Sequence, residues 1–143
     1  MTPMMFPDAV EGVQHVLASA GMPDGAPLTF DTDVVRWVPA DFYQRIEGEG
    51  RVLVAVTSVP GSPSSLEDWE RVTRVRVEWS GLGNDAAQGL AEHGHAHLKG
   101  GPHDTPAGYL DEVLVVAEPY DTQFAHDLIS QFVAVYDVVT RPI

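Results

Sequence analysis

The segment Arg71–Trp79 (RVTRVRVEW) alternates apolar and charged residues, and no other feature constrains the fold of this chain as much. Side chains of a β-strand point alternately to the two faces of a sheet, so this segment has one apolar face and one charged face. The apolar face carries Val75, Val77 and Trp79. The charged face carries Arg74, Arg76 and Glu78. The sequence therefore predicts a sheet with one face against a core and the other facing water or a partner.

Two helices and four further strands are predicted around this strand. Apolar residues at three- and four-residue spacing predict one helix from Pro7 to Gly21 and a second that is capped by Asn84 and ended by the glycines at 100 and 101. The stretch Ala40–Glu49 is compatible with one helical turn or with a bent connection. Runs rich in β-branched residues predict strands at Leu28–Val38, Arg51–Val59, Leu110–Ala117 and Ile129–Thr140.

The order of these elements is α-β-β-β-α-β-β. Strands that follow one another, with helices only twice among them, are typical of an α+β fold. We therefore predict a single domain with a largely antiparallel or mixed sheet of four to five strands and two main helices packed on one face. A length of 143 residues suits one domain with one core.

The net charge excludes one large class of functions. The chain has 21 acidic and 8 basic residues, for a formal net charge of −13. Binding nucleic acid through its phosphates needs clustered lysine and arginine, so direct DNA binding is disfavoured. The absence of cysteine excludes disulfides and thiolate zinc sites and fits a reducing compartment. No signal-peptide pattern and no run of about 18 apolar residues occurs, so we expect a soluble, unexported chain.

No motif predicts catalysis. Residues 81–86 (GLGNDA) match the G-x-G-x-x-A pattern of dinucleotide-binding loops, but the preceding strand is half charged, whereas such loops follow strands buried on both faces. We interpret this segment as a turn and helix cap. The serines of the loop 60–68 lie in no G-x-S-x-G motif, and carboxylate pairs such as Asp31 and Asp33 are expected in so acidic a chain. The sequence predicts neither an enzyme nor a bound cofactor.

A histidine-rich segment offers the one candidate metal site. His93 and His97 share a helix face at i, i+4 spacing, which is half of a typical zinc site, while His95 points away. No H-E-x-x-H motif is present, and His103 is the nearest further histidine. His93, His97 and His103 are thus the candidate ligands. The alternative is that they are polar residues of a helix face near a subunit boundary, and we predict no resident metal.

The basic residues are concentrated in the middle of the sequence, between acidic ends. A chain with separate cationic and anionic regions is suited to head-to-tail contact with copies of itself, which closes into a ring when the rotation permits. The alternative is an ordinary solvated charge pattern. The candidate interface residues, which include polar residues of the loop 59–68, are Arg51, Arg71, Arg74, Arg76, Ser62, Ser64, Asp68 and Arg141.

Nearly the whole chain, from about Phe6 to Ile143, carries a recognisable order of elements. It consists of FPDAVEGVQHVLASAG (6–21), VPADF (38–42), RVLVAVTSVPGS (51–62), LEDWERVTRVRVEWSG (66–81), NDAAQGLAEHGHAHL (84–98), GYLDEVLVVAEPYDTQ (108–123) and FVAVYDVVTRPI (132–143). In this order the chain resembles the tail terminator proteins of long-tailed bacteriophages, particularly those of actinobacterial phages. It departs from them in its histidine-rich helix, where Gly94 replaces an expected larger apolar residue, and in the long stretch between Leu28 and Arg51.

The resemblance implies a structural virion protein of the phage neck, assembled in the host cytoplasm. Six copies would form a ring that caps the completed tail tube, stops its polymerisation and presents the surface that joins the head. The implied partners are other copies of the chain, the tail tube protein and a head-side connector protein, with no membrane contact. DNA would pass through the lumen without specific binding, since six copies at −13 each carry −78.

Two alternatives to a terminator remain open from the sequence. One is a head-completion or connector adaptor of the same neck region. The other belongs to a different class of function, a small metal-binding protein that uses the histidines of residues 93–103.

Overall fold

In a computed structural model, which describes residues 5–60 and 70–143, helices pack against one curled sheet of six strands. The elements in chain order are α1 (Ala9–Ala20), β1 (Val34–Val35), a π-helical turn (Gln44–Gly48), β2 (Leu53–Ser58), β3 (Arg71–Leu82), α2 (Asn84–Leu98), β4 (His103–Thr105), β5 (Gly108–Asp121) and β6 (Ile129–Thr140).

The strands lie in the order β1-β2-β3-β6-β5-β4. The first pair, β1 and β2, is parallel, and every other neighbouring pair is antiparallel. β3 and β6 form the centre of the sheet and pair over their full lengths, from Arg71 opposite Thr140 to Leu82 opposite Ile129. The sheet is therefore mixed, with β1 at one edge and the β5–β4 pair at the other.

The predicted α+β class is confirmed, but the predicted strand number and order are wrong in detail. The sheet has six strands, and the additional strand β4 follows α2. β4 was missed because its three residues, His103–Thr105, have no apolar alternation. Of the two alternatives for Ala40–Glu49, a helical turn or a bent connection, the structure has the helical turn, which is the π-helical turn Gln44–Gly48.

The predicted strand Leu28–Val38 is wrong for most of its length, because only Val34 and Val35 form a strand. The Asp33 carboxylate accepts the backbone N–H of Thr29 at 2.9 Å, and the Thr29 carbonyl accepts the N–H of Asp33 at 2.8 Å. These local hydrogen bonds compete with a sheet ladder, so the chain turns here before it enters the sheet.

The two α-helices begin differently. α1 begins at Ala9, two residues after the predicted Pro7, because Asp8 is its N-cap and the Asp8 carboxylate accepts the N–H of Glu11 at 3.1 Å. Gly21 is its C-cap, as its predicted place at the helix end implies. The predicted Asn84 cap of α2 is wrong, because Asn84 is the first helical residue and Gly83 occupies the cap position with φ of 84°. Glycine adopts this positive φ without the steric cost that a side chain would bring.

Both α-helices contribute to one core against the sheet. The predicted stripe of α2 is buried, and it packs with the apolar face of β3 that the alternation predicted. Gly94 lies where a Cβ atom would be 2.8 Å from Nε1 of Trp79 and 3.2 Å from Cδ2 of Leu17. The glycine that departs from the terminator pattern thus allows α2 to lie close against a buried tryptophan.

A smaller apolar cluster forms where the π-helical turn contacts the sheet. Phe42 and Ile46 pack there with Leu53 and Ala55, the β2 residues that face away from the main core. β2 is therefore buried on both faces over Leu53–Val56, which its unbroken apolar run explains. None of the helices described is long and apolar enough to cross a membrane.

Candidate functional site

Arg74 and Arg76 of β3 lie on the charged face of the sheet. Arg74 donates two hydrogen bonds to Asp137 of β6, from Nε at 2.9 Å and from Nη2 at 3.1 Å. Hydrogen bonding to the Asp137 carboxylate is the main reason that the pKa of Arg74 is raised. Arg76 Nε lies 3.2 Å from a carboxylate oxygen of Glu78. Both candidate interface residues thus have carboxylate partners within their own chain.

The other predicted interface residues that the structure describes, Arg51, Arg71 and Arg141, each contact a different residue of the same chain. Arg51 pairs with Asp33 at 2.7 Å, and its pKa is raised by that hydrogen bond. Arg71 lies with Cζ 4.3 Å from the ring centroid of Phe6, and Arg141 contacts Asp111. Ser62, Ser64 and Asp68 are outside the described residues.

The predicted metal ligands make other contacts. His93 Nε2 lies 3.1 Å from the Ala20 carbonyl oxygen, and His103 Nε2 lies 2.8 Å from that of Leu98. The His93 and His97 rings meet edge to face with centroids 4.6 Å apart. Within residues 5–60 and 70–143, no group of three or more His, Asp or Glu side chains has an arrangement suited to a metal ion.

His95 makes the contact that sequence reasoning missed. It lies on the buried side of α2, and its Nδ1 is 2.6 Å from the hydroxyl of Tyr136 on β6. Burial, assisted by the charge of Lys99, lowers the pKa of His95, while burial raises that of Tyr136. A neutral pair joins the helix to the sheet, so this histidine has a structural role in the core.

A groove of about 690 Å³ lies between α1 and the β4 region. Its polar lining includes His15, His97, His103 and Asp104. His15 stacks on Phe30 with ring centroids 4.0 Å apart, and the Thr105 hydroxyl donates to the Gly108 carbonyl at 2.6 Å. These groups contact aromatic or backbone atoms, and their arrangement matches no nucleophile and base pair that catalysis by a serine or threonine requires.

The glycine-rich segment 81–86 connects β3 to α2. β3 is antiparallel to both of its neighbours, β2 and β6, whereas a dinucleotide-binding loop follows a strand of a parallel sheet. The geometry is that of a turn and a glycine cap, as the sequence indicated.

The clearest unexplained feature is an apolar surface on β5. We call it the β5 surface, and it consists of Leu114, Val115, Val116 and Tyr120, which are 45%, 39%, 46% and 48% exposed. Val113 is buried beneath the helices, so the helical cover ends between Val113 and Val115, which share a face. Leu114 points to the other face, opposite Asp137. This half of β5 is therefore exposed on both faces.

The outer edge of β5 is also uncovered beyond Val113. β4 pairs only with residues 108–110, and Gly100 forms a single bridge to Val113. No other strand in the described part of the chain lies beside that edge. Exposed apolar strand edges are typical sites of pairing with another chain.

A second apolar surface follows β1 at the opposite edge of the sheet. We call it the β1 surface, and it consists of Trp37 and Val38, which are 79% and 54% exposed. Arg36 precedes it and pairs with Asp8 at 2.7 Å, with both side chains partly exposed. Trp37 is the most exposed aromatic side chain in the described part of the molecule, and tryptophan is enriched among residues that dominate binding interfaces.

Sequence reasoning missed both surfaces. The run Leu114–Val116 is apolar on both faces, which predicts a buried strand, and Trp37 falls within a strand predicted to be longer than it is. No family model matches the chain, and no curated protein matches it significantly. The surfaces of the molecule therefore carry the functional argument.

Proposed function

We propose that this protein is a phage tail terminator, a non-enzymatic subunit that assembles as a ring on the end of the tail tube, stops polymerisation and provides the surface that joins the head. The resemblance in sequence pattern supports this, and so does the α+β fold, with its two α-helices over one sheet.

The observation that carries the proposal is the β5 surface. Four exposed apolar side chains grouped along one strand are unusual for a chain that acts alone, because an exposed apolar patch marks a contact site or promotes aggregation. A subunit that works inside an assembly covers them with a neighbour. In a ring, one contact repeated between neighbours covers the β5 surface of every copy.

The charge distribution supports a lumen that DNA can pass. Six arginines are paired with carboxylates of the same chain, which reduces the positive charge available to phosphates. They are Arg36, Arg45, Arg51, Arg74, Arg76 and Arg141. With a net charge of −13 per copy, the ring repels the DNA backbone, and DNA moves through it without adhering.

The test is disruption of the gene in the phage genome that encodes it, followed by negative-stain electron microscopy of the particles. The proposal predicts overlong tails that are detached from DNA-filled heads. Tails of normal length with unjoined heads would instead assign the protein to the head-side connector, and normal infectious particles would refute a neck function altogether.

A further inference from the structure

We propose that the ring contact joins the β5 surface of one copy to the β1 surface of the next. This inference rests on the proposed ring and adds which residues form its interface. The occupant of the β5 surface is thus a second copy of this chain, and the contact is head to tail.

The sheet places the two surfaces on opposite sides. β1 is the terminal strand at one edge, and three strands separate it from β5, which has only the short β4 beyond it. Residues 114–120 extend past the three residue pairs that β4 makes with β5. The two surfaces therefore lie toward opposite edges of the sheet, a placement that suits a repeated head-to-tail contact.

The chemistry of the two surfaces is complementary. The β5 surface is apolar with an acidic rim of exposed carboxylates, from Glu112, Glu118 and Asp121. The β1 surface offers a large exposed aromatic ring, an aliphatic neighbour and the guanidinium of Arg36. Tryptophan and arginine are the residue types that most often dominate interface energies.

The ion pair of Arg36 does not prevent this contact. Its side chain is 38% exposed and that of its partner Asp8 is 42% exposed. Exposed ion pairs of this kind contribute little to folding, so the guanidinium can also approach a carboxylate of a second copy at small cost.

The shape of β5 favours contact through side chains over continuous strand addition. The strand is irregular at three places between Leu110 and Tyr120, and Pro119 has no backbone N–H to donate. Bulges and edge prolines limit edge-to-edge pairing of strands. The contact thus uses the apolar side chains, and two β5 edges do not pair with each other.

Cysteine crosslinking tests this pairing directly, since the natural chain has no cysteine to compete. The variants Val38→Cys and Val115→Cys, which keep Trp37, are prepared separately, mixed under conditions where native mass spectrometry shows wild-type oligomers, and treated with a short bismaleimide. We expect a crosslinked dimer in the mixture and none from either variant alone. The double variant should give a ladder that ends at the size of the ring.

A matched control pairs Val115→Cys with Ser19→Cys, an exposed position on α1 that this contact does not include. Crosslinks from Val115→Cys alone would indicate a two-fold contact between β5 edges and would overturn the inference. So would a mixture of Val38→Cys and Val115→Cys that gives no more product than the control, under conditions where the wild-type chain forms rings. Neither result affects the proposed terminator role, whereas failure of the gene disruption to change tails would refute that role whatever the crosslinks show.

Discussion

β5 and β6 are neighbouring strands of similar apolar character, yet they lie in very different environments. In β6, Val133, Ala134, Tyr136 and Val138 are fully buried, while in β5 the run Leu114–Val116 is 39% to 46% exposed. β6 has β3 on one side and β5 on the other, whereas β5 has a partner on its outer side over a few residues only.

The difference shows that position in the sheet, and not apolar content, decides how far the side chains of a strand are buried in this molecule. A central strand with helices over one face contributes its side chains to folding. A strand whose apolar residues remain exposed contributes little to folding and is available for binding. Substitutions in β6 should therefore reduce stability, and substitutions in β5 should reduce assembly.

The largest difference is expected between matched valine substitutions in the two strands. Val138→Ala removes two methyl groups from a fully buried site and should lower the free energy of unfolding by about 2 kcal/mol. Val115→Ala, at a site 39% exposed, should change it by about 0.5 kcal/mol or less. Urea denaturation measures both, and equal losses would contradict the distinction between the strands.

A glycine pair in α2 tests how closely the helix covers the sheet. In Gly94→Ala the new methyl would lie 2.8 Å from Trp79 Nε1, so overpacking should outweigh the gain in helix propensity and cost about 1 kcal/mol. Gly89→Ala meets no atom within 4 Å and should stabilise by about 0.5 kcal/mol or slightly more. Thermal unfolding separates the two, and stabilisation by both would mean that α2 is not held against Trp79.

The His95–Tyr136 contact beneath β6 should make the folded state sensitive to mild acid. Burial and Lys99 lower the pKa of His95, with Glu118 opposing them, so the unfolded chain binds a proton at a higher pH than the folded chain. Stability should therefore fall as the pH drops below about 6.5, the ordinary pKa of histidine. Urea midpoints between pH 7.5 and 5.5 should show a weaker dependence in His95→Gln, and an unchanged dependence would contradict this origin.

Charge exchange at the surfaces should affect assembly with the smallest effect on folding. Arg36→Glu and Glu118→Arg alone should each weaken oligomer formation about tenfold, because each places like charges together at the interface. The two changes combined in one chain should restore part of the loss, since the opposite charges meet again in reversed order. Native mass spectrometry across a concentration series provides the measurement. Strictly additive losses would mean that Arg36 and Glu118 do not interact across the interface.

The sequence predicted the structure correctly where the residue pattern of a single strand or helix determines which of its side chains are buried. The alternation of β3 predicted which side chains face the core, and the apolar spacing predicted α1, although its helical residues begin at Ala9 and not at Pro7. The turn that shortens Leu28–Val38 depends on hydrogen bonds of Asp33, and the three residues of β4 form a strand only because Gly108–Leu110 lie beside them. Neither effect is visible in local periodicity.

The interaction surfaces were harder to predict because they depend on the position of strands in the sheet. The sequence pointed to the arginines of β3, and the structure pairs Arg74 with Asp137, a partner 63 residues away along the chain. The exposure of Leu114–Val116 follows from how far the helices and β4 extend over β5, which no local pattern records. Arg74 and Arg76 remain candidates from the sequence alone, and the apolar surfaces are the stronger expectation.

The most direct test of the central claim is complementation of the disrupted gene with Val115→Glu, which places a charge in the β5 surface. The matched control is Leu82→Glu, which changes an apolar residue with the same exposed fraction, 39%, outside that surface. With both variants confirmed as folded, electron microscopy should show overlong, headless tails for Val115→Glu and normal particles for Leu82→Glu. Normal particles from the Val115→Glu chain would contradict an assembly role for β5.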